Sequence, residues 1–237
     1  MSKERTHRIK VLLGGFAIVI RALMFDLDGT ILDTAELIVQ SFLHTFTEEL
    51  GESVSREEVM MHFGKSLDDQ FRTMRPSLTP EEVDRLVSAY RTHNHAHHDA
   101  MVSLIPGAGD GLRSLSGTSV ALAVVTSKRL DMAQHGLELF GLQDLFATIV
   151  HHDSTARHKP HPEPLEKALN DLGVRADEAW YIGDSPYDMM AAKSAGCYAV
   201  GFCFNTFSPD QLMKAGADSL IYSWPALYTL WQRRFPG

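Results

Sequence analysis

Cysteine is nearly absent: Cys197 and Cys203 are the only two in 237 residues, and both fall in the apolar stretch after the last acidic motif. That excludes a disulfide framework. Two small buried hydrophobes in a reducing cytosol is the reading, with a single disulfide as the alternative. Positive charge is also short, with 22 Lys and Arg against 30 Asp and Glu and a net charge of −8. A nucleic-acid partner is therefore not expected, because a phosphate backbone demands basic surface. Long apolar runs are missing too. The run from Val11 to Ile20 follows the basic Met1–Lys10 and imitates a secretory signal. It is about half the roughly 20 residues that a membrane-spanning helix needs. No small-residue cleavage site follows it, and it continues into the strand that carries Asp26. Residues 1–18 are thus expected to be an N-terminal extension. A second explanation is a mis-assigned start, with Gly14-Gly15 a translated ribosome-binding sequence and initiation near Val19. What remains, 44% apolar with no repeat and no low-complexity tract, is expected to be a soluble cytoplasmic protein that does not use a membrane. The length admits one large domain or a domain with a small insert, and the chain is expected as a monomer or homodimer.

What is present centres on Phe25-Asp26-Leu27-Asp28-Gly29-Thr30. It closes the apolar run Arg21–Phe25, which reads as a buried parallel strand, so its acids emerge where the strand stops. Two carboxylates that close are unfavourable unless a cation sits between them or one takes a proton. The pair therefore predicts a divalent metal, an acid/base role, or both, and oxygen ligands without thiolate point to Mg²⁺. Asp-x-Asp-Gly also spells turns and calcium loops. A calcium loop wants further oxygen ligands, and Ile31-Leu32 follow instead.

Three further stretches follow the same plan. Val120–Val125 reads as a strand ending on Thr126-Ser127-Lys128, hydroxyls where a phosphate could be cradled. Lys159, in Lys159-Pro160-His161-Pro162-Glu163-Pro164, is a cation in a stiff loop leading into a helix. Ala179–Ile182 reads as a strand ending on Gly183-Asp184-Ser185-Pro186-Tyr187-Asp188. Strand ends are where open parallel sheets place their ligands. This ordered set resembles the four motifs of the haloacid dehalogenase superfamily, from about Arg21 to the C-terminus.

Between the first and second motifs the pattern is helical throughout, with segments at 37–50, 56–63, 67–74 and 80–102 and no strand-like alternation. An all-helical insert over 35–104 is expected. From Gly107 onward helices and strands alternate, the signature of a parallel α/β sheet. The expected fold is α/β: a Rossmann-like parallel-sheet core over 19–34 and 105–237 with an inserted helical domain. The resemblance implies that this insert is a cap hinged over the active site.

The resemblance also implies roles. Asp26 is the nucleophile that takes the phosphoryl group, and Asp28 the general acid and base. Mg²⁺ is held by Asp26, Asp184 and the backbone carbonyl of Asp28, with Asp188 behind them orienting metal waters or Lys159. Lys159 balances the charge of Asp26 and the phosphoryl group. The Thr126 hydroxyl and the amides of Leu27 and Ser127 donate to phosphoryl oxygens. Lys128 reads as a solvated helix-start residue.

In the insert, Lys65 of Gly64-Lys65-Ser66 sits where related caps dip a loop toward the site, with a solvent-facing lysine as the bland alternative. The segment His93-Asn94-His95-Ala96-His97-His98-Asp99 pairs His93 with His97 and His95 with His98 at helical spacing. A zinc site is one reading, but no cysteine or acidic triad completes it. His97 and His98 at the cap mouth are expected to bind substrate, the alternative being two core histidines and two facing water. Residues 90–99 with 41–45 resemble inorganic pyrophosphatases of the phosphoglycolate-phosphatase-like branch, while the Lys65-Ser66 loop and the segment before Val19 depart from that group. The expected activity is Mg²⁺-dependent hydrolysis of pyrophosphate, with phosphoglycolate or another small phosphomonoester as the alternative substrate. A phosphomutase and a non-catalytic binding protein are the further alternatives.

Overall fold

A computed structural model describes residues 11–13, 16–18, 20–204 and 206–234. The expectations for 1–10, Gly14-Gly15 and Val19 lie outside them. Val11–Leu13 (β1) and Phe16–Ile18 (β2) pair antiparallel. Ala22–Phe25 (β3) is followed by the two-residue strand Leu32–Asp33 (β4). Four helices come next: Ala35–Leu50 (α1), Arg56–Met60 (α2), Leu67–Met74 (α3) and Pro80–Met101 (α4). Ser103–Leu104 (β5) returns the chain. Thereafter come Ala108–Ser116 (α5), Ala121–Val125 (β6), Leu130–Leu139 (α6), Thr148–Val150 (β7), Glu163–Leu172 (α7) and Ala179–Gly183 (β8). The tail carries Pro186–Ala195 (α8), Tyr198–Phe202 (β9), Pro209–Lys214 (α9), Ser219–Ile221 (β10) and Trp224–Arg234 (α10).

Six strands form one parallel sheet in the order β10-β9-β8-β3-β6-β7. All four residues of β3 are buried, because side chains of alternate residues enter opposite faces and helices cover both. Leu23, Phe25, Val124 and Ile182 join one apolar cluster, Met24, Ala123, Val125 and Tyr181 the other. This is the expected Rossmann-like α/β fold. The register pairs Phe25 with Val124 on one side and Ile182 on the other, so three neighbouring strands end at one level. Whatever follows them meets at one place.

Helices α1–α4 enclose an apolar cluster of their own, built on Val39, Phe42, Phe46, Phe71, Leu86 and Tyr90. Their ends are written locally. Thr79 and Glu82 form a reciprocal capping box with Pro80 in the first turn of α4, and the Ser66 hydroxyl accepts from the Asp69 amide at the start of α3. The insert is not entirely helical. Leu32 pairs with Leu104 and Asp33 with Ser103 in an antiparallel ribbon through which both crossings run. Two residues are too few to show alternation, so the sequence carried no trace of it. Among the described residues no helix is long and apolar enough to cross a membrane.

Candidate active site

Asp26 continues β3 by one residue, its amide donating to the Ile182 carbonyl at 2.9 Å, and the residue is 4% exposed. The Lys159 ammonium lies 2.9 Å from Asp26 Oδ1 and 2.7 Å from Asp188 Oδ1, and donates to Tyr181 Oη at 3.1 Å. Asp188 is held from its other side. Its Oδ2 accepts from the Ser185 amide at 3.0 Å and the Ser185 hydroxyl at 2.6 Å, because Ser185 caps α8 and Asp188 falls in its first turn. Both oxygens of Asp188 are thus engaged, which fixes Lys159 against Asp26. Asp184 sits beside them, buried. It fits there only because residue 29 is glycine: Gly29 has φ +80°, and a Cβ on it would lie 2.6 Å from Asp184 Cγ.

Three buried carboxylates, Asp26, Asp184 and Asp188, offer oxygens within 4.8 Å of one another. Burial pushes the Asp26 carboxyl up to about 7, Lys159 pulling it down and Asp188 pushing it up again. Burial raises Asp184 well above the ordinary carboxylate range, with Asp188 and Asp26 adding to the rise. Burial opposes the charge on Lys159, but Asp188 and Asp26 overcome it and hold the ammonium above its ordinary value. One lysine against three carboxylates leaves an excess of negative charge in a dry corner. An all-oxygen donor set of that charge fits a hard divalent cation such as Mg²⁺, although Asp26 also holds Lys159 and Asp184 accepts from Thr206.

The corner opens into a cavity of about 370 Å³, whose lining includes Asp26, Asp28, Thr126, Ser127 and Asp184. Thr126 Oγ1 accepts from the Lys128 amide at 3.1 Å, which aims the hydroxyl inward. Ser127 donates to the Gly64 carbonyl at 3.2 Å, joining the second motif to the loop before α3. Leu27 is fully buried and, unlike Asp26 and Asp28 on either side of it, does not line the cavity. The Asp28 carboxylate stands outside that three-acid cluster, on the same cavity, and pairs with Lys128, Nζ to Oδ1 at 2.7 Å.

Lys128 therefore differs from its reading as a solvated residue: its side chain is 12% exposed and it lines the cavity. Its place two residues after Thr126 was the available signal, since a chain leaving a strand end keeps its next residues at the site. From the helical side Lys65, Tyr90, Arg91 and His95 line the cavity. Lys65 is tethered to Thr73 Oγ1 at 3.1 Å and lies 5.4 Å above the Tyr187 ring. His97 and His98 do not line it. His97 is exposed, stacked on His93 at 4.2 Å with Nδ1 on the His93 carbonyl, and His98 is fully buried at the junction with α6. One helical turn separates His95 from His98, and spacing alone does not say which face of α4 meets the cavity.

A buried carboxylate-and-lysine corner at the ends of parallel strands, facing a cavity roofed by an inserted helical unit, is the arrangement of a class of hydrolase. The family profile described as haloacid dehalogenase-like hydrolase matches residues 23–202, and the chain belongs to that family. It is an enzyme of that class. Curated relatives include "Pyrophosphatase PpaX" of Halalkalibacterium halodurans, 39% identical over 209 residues, covering 85% of this chain and 95% of the relative. The protein of the same name from Bacillus pumilus is 37% identical over 202 residues, covering 85% and 92%. Among solved structures, a predicted phosphoglycolate phosphatase from Haemophilus somnus superposes with a TM-score of 0.81 at 23% identity, covering 90% of this chain and 98% of that one. β-Phosphoglucomutase from Clostridium difficile gives 0.79 at 20% identity, covering 92% and 98%. At those identities the two structures speak for the fold.

Proposed function

We propose that this chain is a Mg²⁺-dependent phosphohydrolase that works through an aspartyl-phosphate and that its substrate is inorganic pyrophosphate. The carrying observation is the clasp of Lys159 between Asp26 and Asp188, with a second lysine, Lys128, across the cavity on Asp28. Asp26 attacks phosphorus through a carboxylate oxygen, and the bond to the leaving oxygen breaks. Asp28 gives that oxygen a proton. In the second half Asp28 takes the proton back from water, whose oxygen attacks phosphorus and releases phosphate while Asp26 is regenerated. Lys159 and the Thr126 hydroxyl hold the phosphoryl oxygens through both halves. Asp26 and Asp184 would hold the Mg²⁺, whose charge would offset that of the phosphoryl group and let one anion approach another.

Pyrophosphate has no carbon skeleton, so its second phosphoryl group must be recognised by charge. Lys128, Lys65, Arg91 and Arg129 all line the cavity beyond the corner, and the relatives named pyrophosphatase support the same reading. A small phosphomonoester such as phosphoglycolate is the second reading, favoured by the apolar wall of Ile38, Phe63, Leu67 and Met132. Steady-state rates on pyrophosphate and a panel of phosphomonoesters with Mg²⁺ test the choice. Pyrophosphate should give the highest kcat/KM, and any monoester exceeding it would overturn the substrate while leaving the corner's chemistry in place.

A further inference from the structure

The histidine-rich end of α4 does not serve the cavity as a whole, and part of it meets the core instead. His98 is 0% exposed, and its Nδ1 lies 3.0 Å from Asp99 Oδ1. From α6, on the other side of the junction, His135 Nε2 reaches the same oxygen at 2.6 Å. The rings of His98 and His135 stand 5.0 Å apart, and the ligand atoms of the three residues lie within 4.8 Å of one another. A carboxylate and two imidazoles converge on one point from both sides of the seam.

We propose that His98, Asp99 and His135 form a second cation site, for a divalent transition metal of the Zn²⁺ class, that ties the helical insert to the core. Two nitrogens and one carboxylate oxygen are the donors that such ions take, and they differ from the all-oxygen corner around Asp26. Asp99 and His135 are partly exposed, with side chains 59% and 40% accessible, so water can enter and complete the coordination. The second observation concerns His98 itself. Its Nε2 is buried and has no hydrogen-bond partner; it is 3.6 Å from where a Cβ on Gly136 would stand. A residue there only to fill space would be cheaper as leucine, since a buried polar atom without a partner costs about 1–3 kcal/mol. What holds the ring there is its other nitrogen, Nδ1, which faces Asp99 and, across the same carboxylate oxygen, His135.

The test is a Co²⁺ titration of the whole protein saturated with Mg²⁺, read by visible absorption. Nitrogen-bound Co²⁺ of low coordination number absorbs far more strongly than six-coordinate Co²⁺ in an oxygen site. One equivalent of strongly absorbing Co²⁺ is expected, its affinity falling roughly tenfold or more in His135→Ala and in Asp99→Asn. Both positions are partly exposed, so the variants should fold, which circular dichroism checks. Asp184→Asn should keep the bands, since it alters only the other centre. Amide exchange in residues 32–35 and 102–105 should slow with Co²⁺ in the parent and not in His135→Ala. Absent bands, bands undiminished in both variants, or bands lost in Asp184→Asn would overturn the site. Unchanged exchange despite the bands would overturn the tie.

Discussion

At the residue scale, Asp26, Asp28 and Lys128 carry different burdens although they share one cavity. Asp26→Asn keeps the shape of the corner but offers an amide that neither attacks phosphorus nor binds a cation. Turnover should fall by at least roughly 10⁴-fold, with the fold retained by circular dichroism; a folded variant with appreciable kcat would remove Asp26 as nucleophile. Lys128→Met should act on binding instead. Removing a partly buried cation that faces a polyanion costs about 1.5–3 kcal/mol. The expected result is a KM for pyrophosphate raised about ten- to a hundredfold, with a smaller rise for a neutral-tailed aryl phosphate, measured side by side. Equal losses on both substrates would confine Lys128 to supporting Asp28. His98 gives the pH dependence. Its pKa is lowered by burial from an ordinary 6.5, against the pull of the Asp99 bond and with Lys128 and His135 adding to the fall. Below pH 6.5 the unfolded chain takes a proton that the folded chain refuses. Stability should therefore decline as pH drops from 6.5 to the folded pKa and then stop responding to this group. Thermal midpoints of the parent and His98→Leu across pH 5–8 check it: the variant should lose that component.

At the scale of elements, the site is made by register. Asp26, Thr126 and Asp184 meet because β6, β3 and β8 are neighbours that end within one residue of one another in register. That much was legible, since each strand is a short apolar run ending abruptly on polar residues, a pattern that burial on both faces imposes. Lys159 was legible through its prolines and its place between the second and last strand ends. The ribbon of β4 and β5 was not, for it holds four residues and its pairing is entirely non-local. Gly29 belongs to this scale because its φ of +80° and its lack of a Cβ let Asp184 close on the first motif. In Gly29→Ala the left-handed backbone costs about 1–2 kcal/mol, and the methyl group drives Asp184 outward. Mg²⁺ should then bind more weakly. With the parent protein, saturation at about 100 times Kd adds about 2.7 kcal/mol to stability, seen as a rise in Tm. Chelation should abolish that rise and the activity together. The rise should be much reduced in Gly29→Ala, and an undiminished rise would show that Asp184 is not a ligand.

For the whole molecule the question is how the insert meets the core. Helical periodicity led to the expectation of a helical insert between the first and second motifs, but not to which of its faces looks at the site. On α4, residues 90, 91, 94 and 95 line the cavity while 97 faces water and 98 meets α6. The packing of Tyr90 against Phe42 and Phe71, with Val83, Leu86 and Val87 buried on the same helix and Asn94 bonded to Ser41, sets that rotation. The loop before α3 makes the other meeting point. Gly64 has φ +91°, its carbonyl receives the Ser127 hydroxyl, and a Cβ on it would lie 2.8 Å from Ser185 Cβ. In Gly64→Ala the loop must lift from Ser185, which also caps α8 and anchors Asp188. Because the insert keeps its own apolar cluster, the loss of stability should be modest. About 1–2 kcal/mol of backbone strain corresponds to a Tm lowered by roughly 2–8 °C for a chain of this size. Activity should suffer more. Lifting the loop carries Lys65 from the cavity and admits water, so kcat/KM for pyrophosphate should fall by at least roughly a hundredfold, the scale set by about 1 Å of misplacement. A variant that loses the Tm but keeps kcat/KM would mean that the loop serves folding alone and that the core binds its substrate without the insert's help.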